Sequence, residues 1–198
     1  MADPAYIDPA TGVLTDGEAW VGITTTTLGS DTASVTFTST DDGQVGDFSQ
    51  YMDLVVVSYA RGAVAVVTAD LNMQLNADTG SNYDHQTLYG SGSAAVAATG
   101  TLAWFQLGTL PCDNATANVF MGAVTTLFDI NSGKYKSALS QGACDLDGSA
   151  SGRVHLRGLT WKSQAPITQI KLYDASGAGD LADGSSFSLF GVLPRMVA

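Results

Sequence analysis

The sequence predicts an all-β protein built as one sandwich or barrel, and three observations carry that expectation. Apolar and β-branched residues alternate with polar ones at period two through most of the chain, and no stretch of helical length sustains a 3.6-residue period. Turn compositions rich in Gly, Asp, Asn and Ser recur about every ten residues, the spacing of short strands in a sandwich or barrel. Charged residues make up only 14% of the chain, with Thr, Val and Gly in heavy use, which suits strands joined by turns. A single domain of 198 residues buries roughly 70% of the surface its unfolded chain exposes and needs no staples.

Residues 1–17 are rich in Pro and Asp, with Pro4 and Pro9 opposing regular structure, and read as an extended N-terminal arm before a domain over 18–198. Trp20 to Leu28 and Ser34 to Ser39 alternate as strands around the turn Gly29-Ser30-Asp31, and Asp41-Asp42-Gly43 closes this first hairpin. Tyr51 to Tyr59 is a strand, Arg61-Gly62 a turn, and Ala63 to Asn76 a longer strand. In that segment Val67, Ala69, Leu71, Met73 and Leu75 share one face. The turn Asp78-Thr79-Gly80-Ser81-Asn82 leads to a strand from Tyr83 to Tyr89, followed by a small-residue loop over Gly90 to Gly100. Thr101 to Leu107, Asn118 to Asn131, Lys134 to Leu139, Arg153 to Trp161, Ile167 to Tyr173 and Ser186 to Val192 complete the expected strands.

The net charge is -11 and the pI about 4.1. Its eight basic residues are scattered, which argues against nucleic-acid backbone binding and against anionic membranes. The N-terminus has no basic n-region or apolar h-region, and the longest apolar runs have strand length, so the expectation is a protein made in a cytoplasm that stays soluble. Cys112 and Cys144 are too few for a disulfide framework and lack CxxC spacing. Two separate buried thiols are expected, with pairing in an oxidising environment as the alternative.

No residue set announces catalysis. His85 and His155 are the only histidines, and no Ser sits in a GxSxG elbow. His85, beside Asp84, reads as a surface or subunit-interface residue, and His155, between Val154 and Leu156, as the outward face of a strand. Glu18 is the only Glu, and most Asp residues sit in turn clusters where they cap the turn, so the acid pair of a glycosidase is missing. Asp78 to Asn82 and Asp145-Leu146-Asp147-Gly148 are oxygen-rich but supply no EF-hand loop. Asn114-Ala115-Thr116 matches a glycosylation sequon by chance, and Gly90-Ser91-Gly92 lacks the Lys of a phosphate loop. Trp20, Trp104 and Trp161 read as sandwich-core anchors, with a sugar-binding platform as the alternative. The expectation is a protein that is not an enzyme, with no catalytic, cofactor-binding or metal residue.

One pattern in the last third is more specific. Trp161-Lys162-Ser163-Gln164-Ala165-Pro166-Ile167-Thr168-Gln169-Ile170-Lys171-Leu172 precedes Asp183-Gly184-Ser185-Ser186-Phe187-Ser188-Leu189-Phe190-Gly191-Val192. It resembles the closing "W…AIT.I.L…GS.FSLYG" segment of tailed-phage virion proteins, among them capsid decoration (cement) proteins, head fibres and tail-associated proteins. Leu75-Asn76-Ala77-Asp78-Thr79-Gly80-Ser81-Asn82-Tyr83 resembles the "FN.D.G.NY" turn of the same group, and Asn118-Val119-Phe120 with Asn131-Ser132-Gly133-Lys134-Tyr135-Lys136 its later "N.F" and "N..K.K" elements. Pro166 and Phe190 depart mildly from the pattern.

The resemblance implies a jelly-roll-like antiparallel β-sandwich and a place in the virion. The first expectation is a decoration protein on the outer capsid surface, synthesised in the host cytoplasm. It would be a homo-oligomer, trimer favoured over dimer, whose partner is the major capsid protein and whose arm, Ala2 to Thr15, reaches across to it or to a neighbouring protomer. The alternative is a receptor-binding or fibre module that recognises a cell-surface glycan through Tyr83, Tyr89 and Trp104. A depolymerising enzyme is a third reading, for which no acid pair is found.

Overall fold

The computed structural model describes residues 20–92, 94–146, 152–174 and 179–193, so the expected N-terminal arm lies outside the described residues. Among the described residues fourteen strands follow in chain order. They are β1 (Trp20–Thr27), β2 (Ser34–Thr38), β3 (Asp53–Ala60), β4 (Gly62–Ala63), β5 (Thr68–Leu75), β6 (Tyr83–Gly90) and β7 (Ala95–Leu102). The second half contributes β8 (Phe105–Pro111), β9 (Met121–Phe128), β10 (Lys136–Cys144), β11 (Arg153–Trp161), β12 (Gln169–Asp174), β13 (Asp180–Leu181) and β14 (Ser186–Val192). The described helical structure is one 3₁₀ turn, Phe48–Gln50, capped by the Asp47 carboxylate on the Ser49 N–H. The all-β expectation is met.

All the strand pairings are antiparallel and form two main sheets. The large sheet runs β1-β14-β3-β9-β10-β11-β6-β7, and the small one β2-β12-β5-β8. The two orders correspond: β1 continues into β2, β12 into β14, β3 into β5, and β8 into β9. Four adjacent strands of one sheet therefore fold over a common corner into four adjacent strands of the other. This order-preserving wrap makes the sandwich jelly-roll-like.

Hydrogen bonds join the described residues of the corner. β4 pairs with β13, Thr32 bridges Leu181, and the amides of Cys112, Asp113 and Asn114 donate to the carbonyls of Val67, Val64 and Val66. Arg61 ties the crossings together. Its guanidinium donates to the carbonyls of Cys112 (2.6 Å), Thr116 (2.9 Å), Val119 (3.0 Å) and Ala115 (3.2 Å). Its own amide donates to the Ser185 hydroxyl. Gly62 is glycine because a Cβ there would lie 2.7 Å from Cys112 Sγ and 2.8 Å from Asp174 Oδ2.

The core lies between the sheets. Leu71, Met73 and Leu75 of β5, Ile170 and Leu172 of β12, and Phe187 and Leu189 of β14 are fully buried, on the faces that their period-two spacing marks. Gly191 continues the last of these faces. A Cβ on it would come within 2.3 Å of the Tyr51 ring, so the aromatic closes over bare backbone.

Four details correct the sequence-based expectations. β1 and β2 form no hairpin: they belong to different sheets, because the chain turns the corner between them. The expected long strand from Ala63 is broken at the same corner into β4 and β5. The expected loop over Gly90 to Gly100 is largely β7, whose Ala and Gly residues have little intrinsic strand signal but pair in continuous register with β6. Trp20 is half exposed on the edge strand, where it packs on Phe190 at 6.2 Å and anchors no core.

Arg61→Ala removes one cation from four carbonyls and is expected to cost about 2–4 kcal/mol of unfolding free energy by urea titration. Lys134→Ala, which removes an ion pair between exposed side chains, is expected to cost under about 0.5 kcal/mol.

Candidate interaction surface

The residues that carry the virion-protein resemblance lie mostly at the end of the sandwich opposite the corner, and they hold loops. Asn76, in a left-handed conformation, accepts the Thr168 and Gln169 amides on Oδ1 and donates from Nδ2 to the Pro166 carbonyl. The Asp78 carboxylate accepts the Gly80 amide, the Asn82 amide group and the Trp161 indole N–H (2.8 Å). Burial works against its charge, but these hydrogen bonds outweigh it and hold its pKa below the usual carboxylate value. Asn131 donates to the carbonyls of Phe48, Ser49 and Tyr51. Lys136, buried at 1% exposure, donates its ammonium to the carbonyls of Ser132, Lys134 and Gln164.

The oxygen-rich turn at Asp78 is thus occupied by its own donors. Asn114 of the sequon likewise donates to the Ala65 carbonyl. Of the Asp145 cluster, residues 147 and 148 lie outside the described residues. Among the described residues no three His, Cys, Asp or Glu side chains are grouped to hold a metal. Cys112 and Cys144 are free and buried, and burial, with Asp174 nearby, pushes the Cys112 thiol up to about 11.

The aromatics named for a glycan platform are not displayed together. Tyr83 is fully buried and packs edge-on against Phe105 at 4.9 Å, so its exposure is corrected. Its hydroxyl touches the backbone of Leu75 and Asp78. Tyr89 is half-buried, with Arg153 over its ring at 5.0 Å. Trp104 is half-buried, and Trp161 is a core anchor as expected.

The largest departure from sequence logic is β11. Its polar members Arg153, His155 and Arg157 face inward, while Val154 (67% exposed) and Leu156 (43%) face solvent. His155, expected outward, is 4% exposed. Its ring packs so tightly on Gly108 that a Cβ there would be 2.6 Å away. Neither ring nitrogen has a hydrogen bond of ordinary geometry. Arg157 pairs with Asp70 at 3.4 Å and with Gln106 at 3.2 Å, and Arg153 reaches Thr109 at 3.4 Å. His85 also points inward, half-buried against Gly100.

The register of the large sheet places the outward residues in cross-strand rows. The first runs Tyr59, Gly122, Ala143, Val154, Gly90, Ala95, and the second Val57, Val124, Gln141, Leu156, Leu88, Ala97. The third runs Val55, Thr126, Leu139, Gly158, Gln86, Thr99, of which Val55 is fully covered. None of these three rows carries a formal charge. In the fourth, Asp84 appears, paired with Lys162 at 2.9 Å and bonded by Thr101. Residues of the first two rows line one open hollow, among them the small Gly122 and Ala143. Tyr59 stands at one side, stacked on Phe120 at 5.0 Å, and Val154 at the other. Sequence reasoning missed this surface because alternation marks two faces without saying which is inside. The available signal was Val154 and Leu156 interleaved with three basic side chains.

No family model and no curated protein matches the chain. Among solved structures, the CBM40 of the Ruminococcus gnavus IT-sialidase, bound to alpha2,3 sialyllactose, is similar at 9% identity and a TM-score of 0.27, over 90% of this chain and 95% of that one. A second structure of that CBM40 gives 10% identity and a TM-score of 0.24, over 77% and 92%. Likenesses at this level carry no argument about this chain.

Burial, with Arg157 beside it, pulls the His155 pKa from 6.5 down to about 4. The unfolded chain takes up the proton first as pH falls, so stability is lost between about pH 6.5 and 4 and levels off below. Urea titrations at pH 7 and pH 5 are expected to differ by about 2 kcal/mol from this residue, and His155→Gln is expected to lose that part of the difference.

Proposed function

We propose that this chain is a non-enzymatic structural protein of a tailed-phage particle, specifically a capsid decoration protein. It binds the major capsid protein on the outer shell as a homo-oligomer. The observation that supports this reading most is the inverted strand β11. A lone soluble domain gains by burying Val154 and Leu156 and exposing Arg153 and Arg157, and this chain does the reverse. Departures of that kind belong to surfaces kept for a function. A charge-free apolar strip is a surface for protein contact rather than for a hydroxyl-rich ligand.

The sequence resemblance supplies the virion context, and the roles of its residues fit it. Asn76, Asp78, Asn131 and Lys136 hold loops, so a shared motif in this group is a motif of the fold. Position in the particle then depends on surfaces outside the motif. Stabilisation follows from mass action: a protein that binds the assembled shell and not its separated subunits shifts the balance toward the shell.

The experiment is a count of copies per purified particle, by quantitative mass spectrometry against the major capsid protein. A decoration protein is expected at a ratio near one or a simple large fraction of it. A few tens of copies or fewer would move the chain to a fibre or tail position and overturn the decoration reading.

A further inference from the structure

We infer that the charge-free half of the large sheet's outer face is a contact between two copies of this chain, packed face to face about a two-fold axis. The inference deepens the self-association named in the proposed function and rests on that part of it alone. The occupant follows from charge. The chain carries -11 overall, so two copies repel wherever their acidic surfaces approach. Three consecutive six-strand rows, from Tyr59 to Thr99, hold no formal charge. A basic partner would be matched by acidic residues, and the face that has none is matched best by another like itself.

The relief of the face suits the same occupant. In the first row the large Tyr59 and Val154 flank the small Gly122 and Ala143. A two-fold rotation sets the large side chains of one copy over the small ones of the other, the self-complementary arrangement that an isologous contact requires. Toward the free edge the outward side chains shrink to Ala95 and Ala97 on β7, which leaves no bulky obstacle to a second sheet. Six strands and three rows span about 24 by 13 Å, on the order of 300 Å² in projection. That is below the ~800 Å² per partner of a standard stable interface, so the expected contact is a concentration-dependent dimer.

The test is sedimentation equilibrium of the purified full chain, without capsid, over about 1–100 μM. The wild type is expected to pass from one copy to two, and added salt is expected to favour the dimer by screening the residual acidic repulsion. Leu156→Glu is expected to raise the half-dimer concentration at least ~10-fold, with an unchanged circular-dichroism melt as evidence of folding. Should Leu156→Glu melt early, Leu88→Ser at a 55% exposed position takes its place with the same expected direction. Tyr135→Glu, at an exposed position in the loop between β9 and β10, is expected to dimerise as the wild type does. A wild type that stays monomeric at every concentration, a trimer, or folded Leu156→Glu and Leu88→Ser variants that associate unchanged would each overturn the inference. These results do not depend on copy number, so the contact can fail while the decoration reading stands, and the reverse.

Discussion

Everything in this fold hangs on the corner at which four chain crossings leave one sheet and enter the other in the same order. A sheet that bends over itself must bring backbone from β3–β5, β8–β9 and β12–β14 close together at a place where the regular ladders have ended. Carbonyls left bare there would each carry a desolvation cost. Arg61 meets that problem with one planar cation shared among four carbonyls of the 112–119 segment. The two-residue pairing of β4 with β13 and the Thr32–Leu181 bridge supply the rest. Gly62 is small because the three layers of chain leave no room for a side chain. With the corner set, the strand order of both sheets follows, and so does the extension of the large sheet through β10, β11, β6 and β7 beyond the wrapped four.

That extension sets where charge and apolar surface are found. The inner face of β11 meets β8 and the Asp70 end of β5, where polar partners are available, so Arg153, His155 and Arg157 are accommodated inside. The same alternation then turns Val154 and Leu156 outward. A polar interior and an apolar exterior on one strand are two sides of a single choice, and the outer side is the one a partner can reach. The loops at the opposite end are closed by Asn76, Asp78, Asn131 and Lys136, whose side chains are engaged with backbone groups and, for Asp78, with the Asn82 and Trp161 side chains.

Much of the fold was legible in the sequence wherever one face of a strand is apolar and the other polar. β12 and β14 emerged with the right residues inward, and β5 did so from Leu71 to Leu75, while Val67 at the head of its expected run is exposed and Asn72 on its expected polar face is buried. β7 was hidden because its Ala and Gly residues mark no face. The supposed first hairpin was misjudged because a turn composition does not reveal whether the next strand pairs locally or crosses to another sheet. The candidate interaction surface left one trace, Val154 and Leu156 interleaved with basic side chains, but β11 reads naturally with its charges in water, and only tertiary pairing with Asp70 and Gln106 shows them inside. Tyr83 was misjudged for a related reason, since an aromatic beside a polar turn looks exposed until its hydroxyl finds the turn's own backbone.

The claim at the centre of this account is that protein contact falls on the charge-free rows of the large sheet and not on the loop end. Hydroxyl-radical footprinting of side chains, comparing dilute free protein with protein on intact particles, tests it directly. The account expects Tyr59, Leu88 and Leu156 to lose reactivity on the particle while Tyr135, exposed at the loop end, keeps its own. Protection of Tyr135 with Tyr59 and Leu156 unchanged would contradict it.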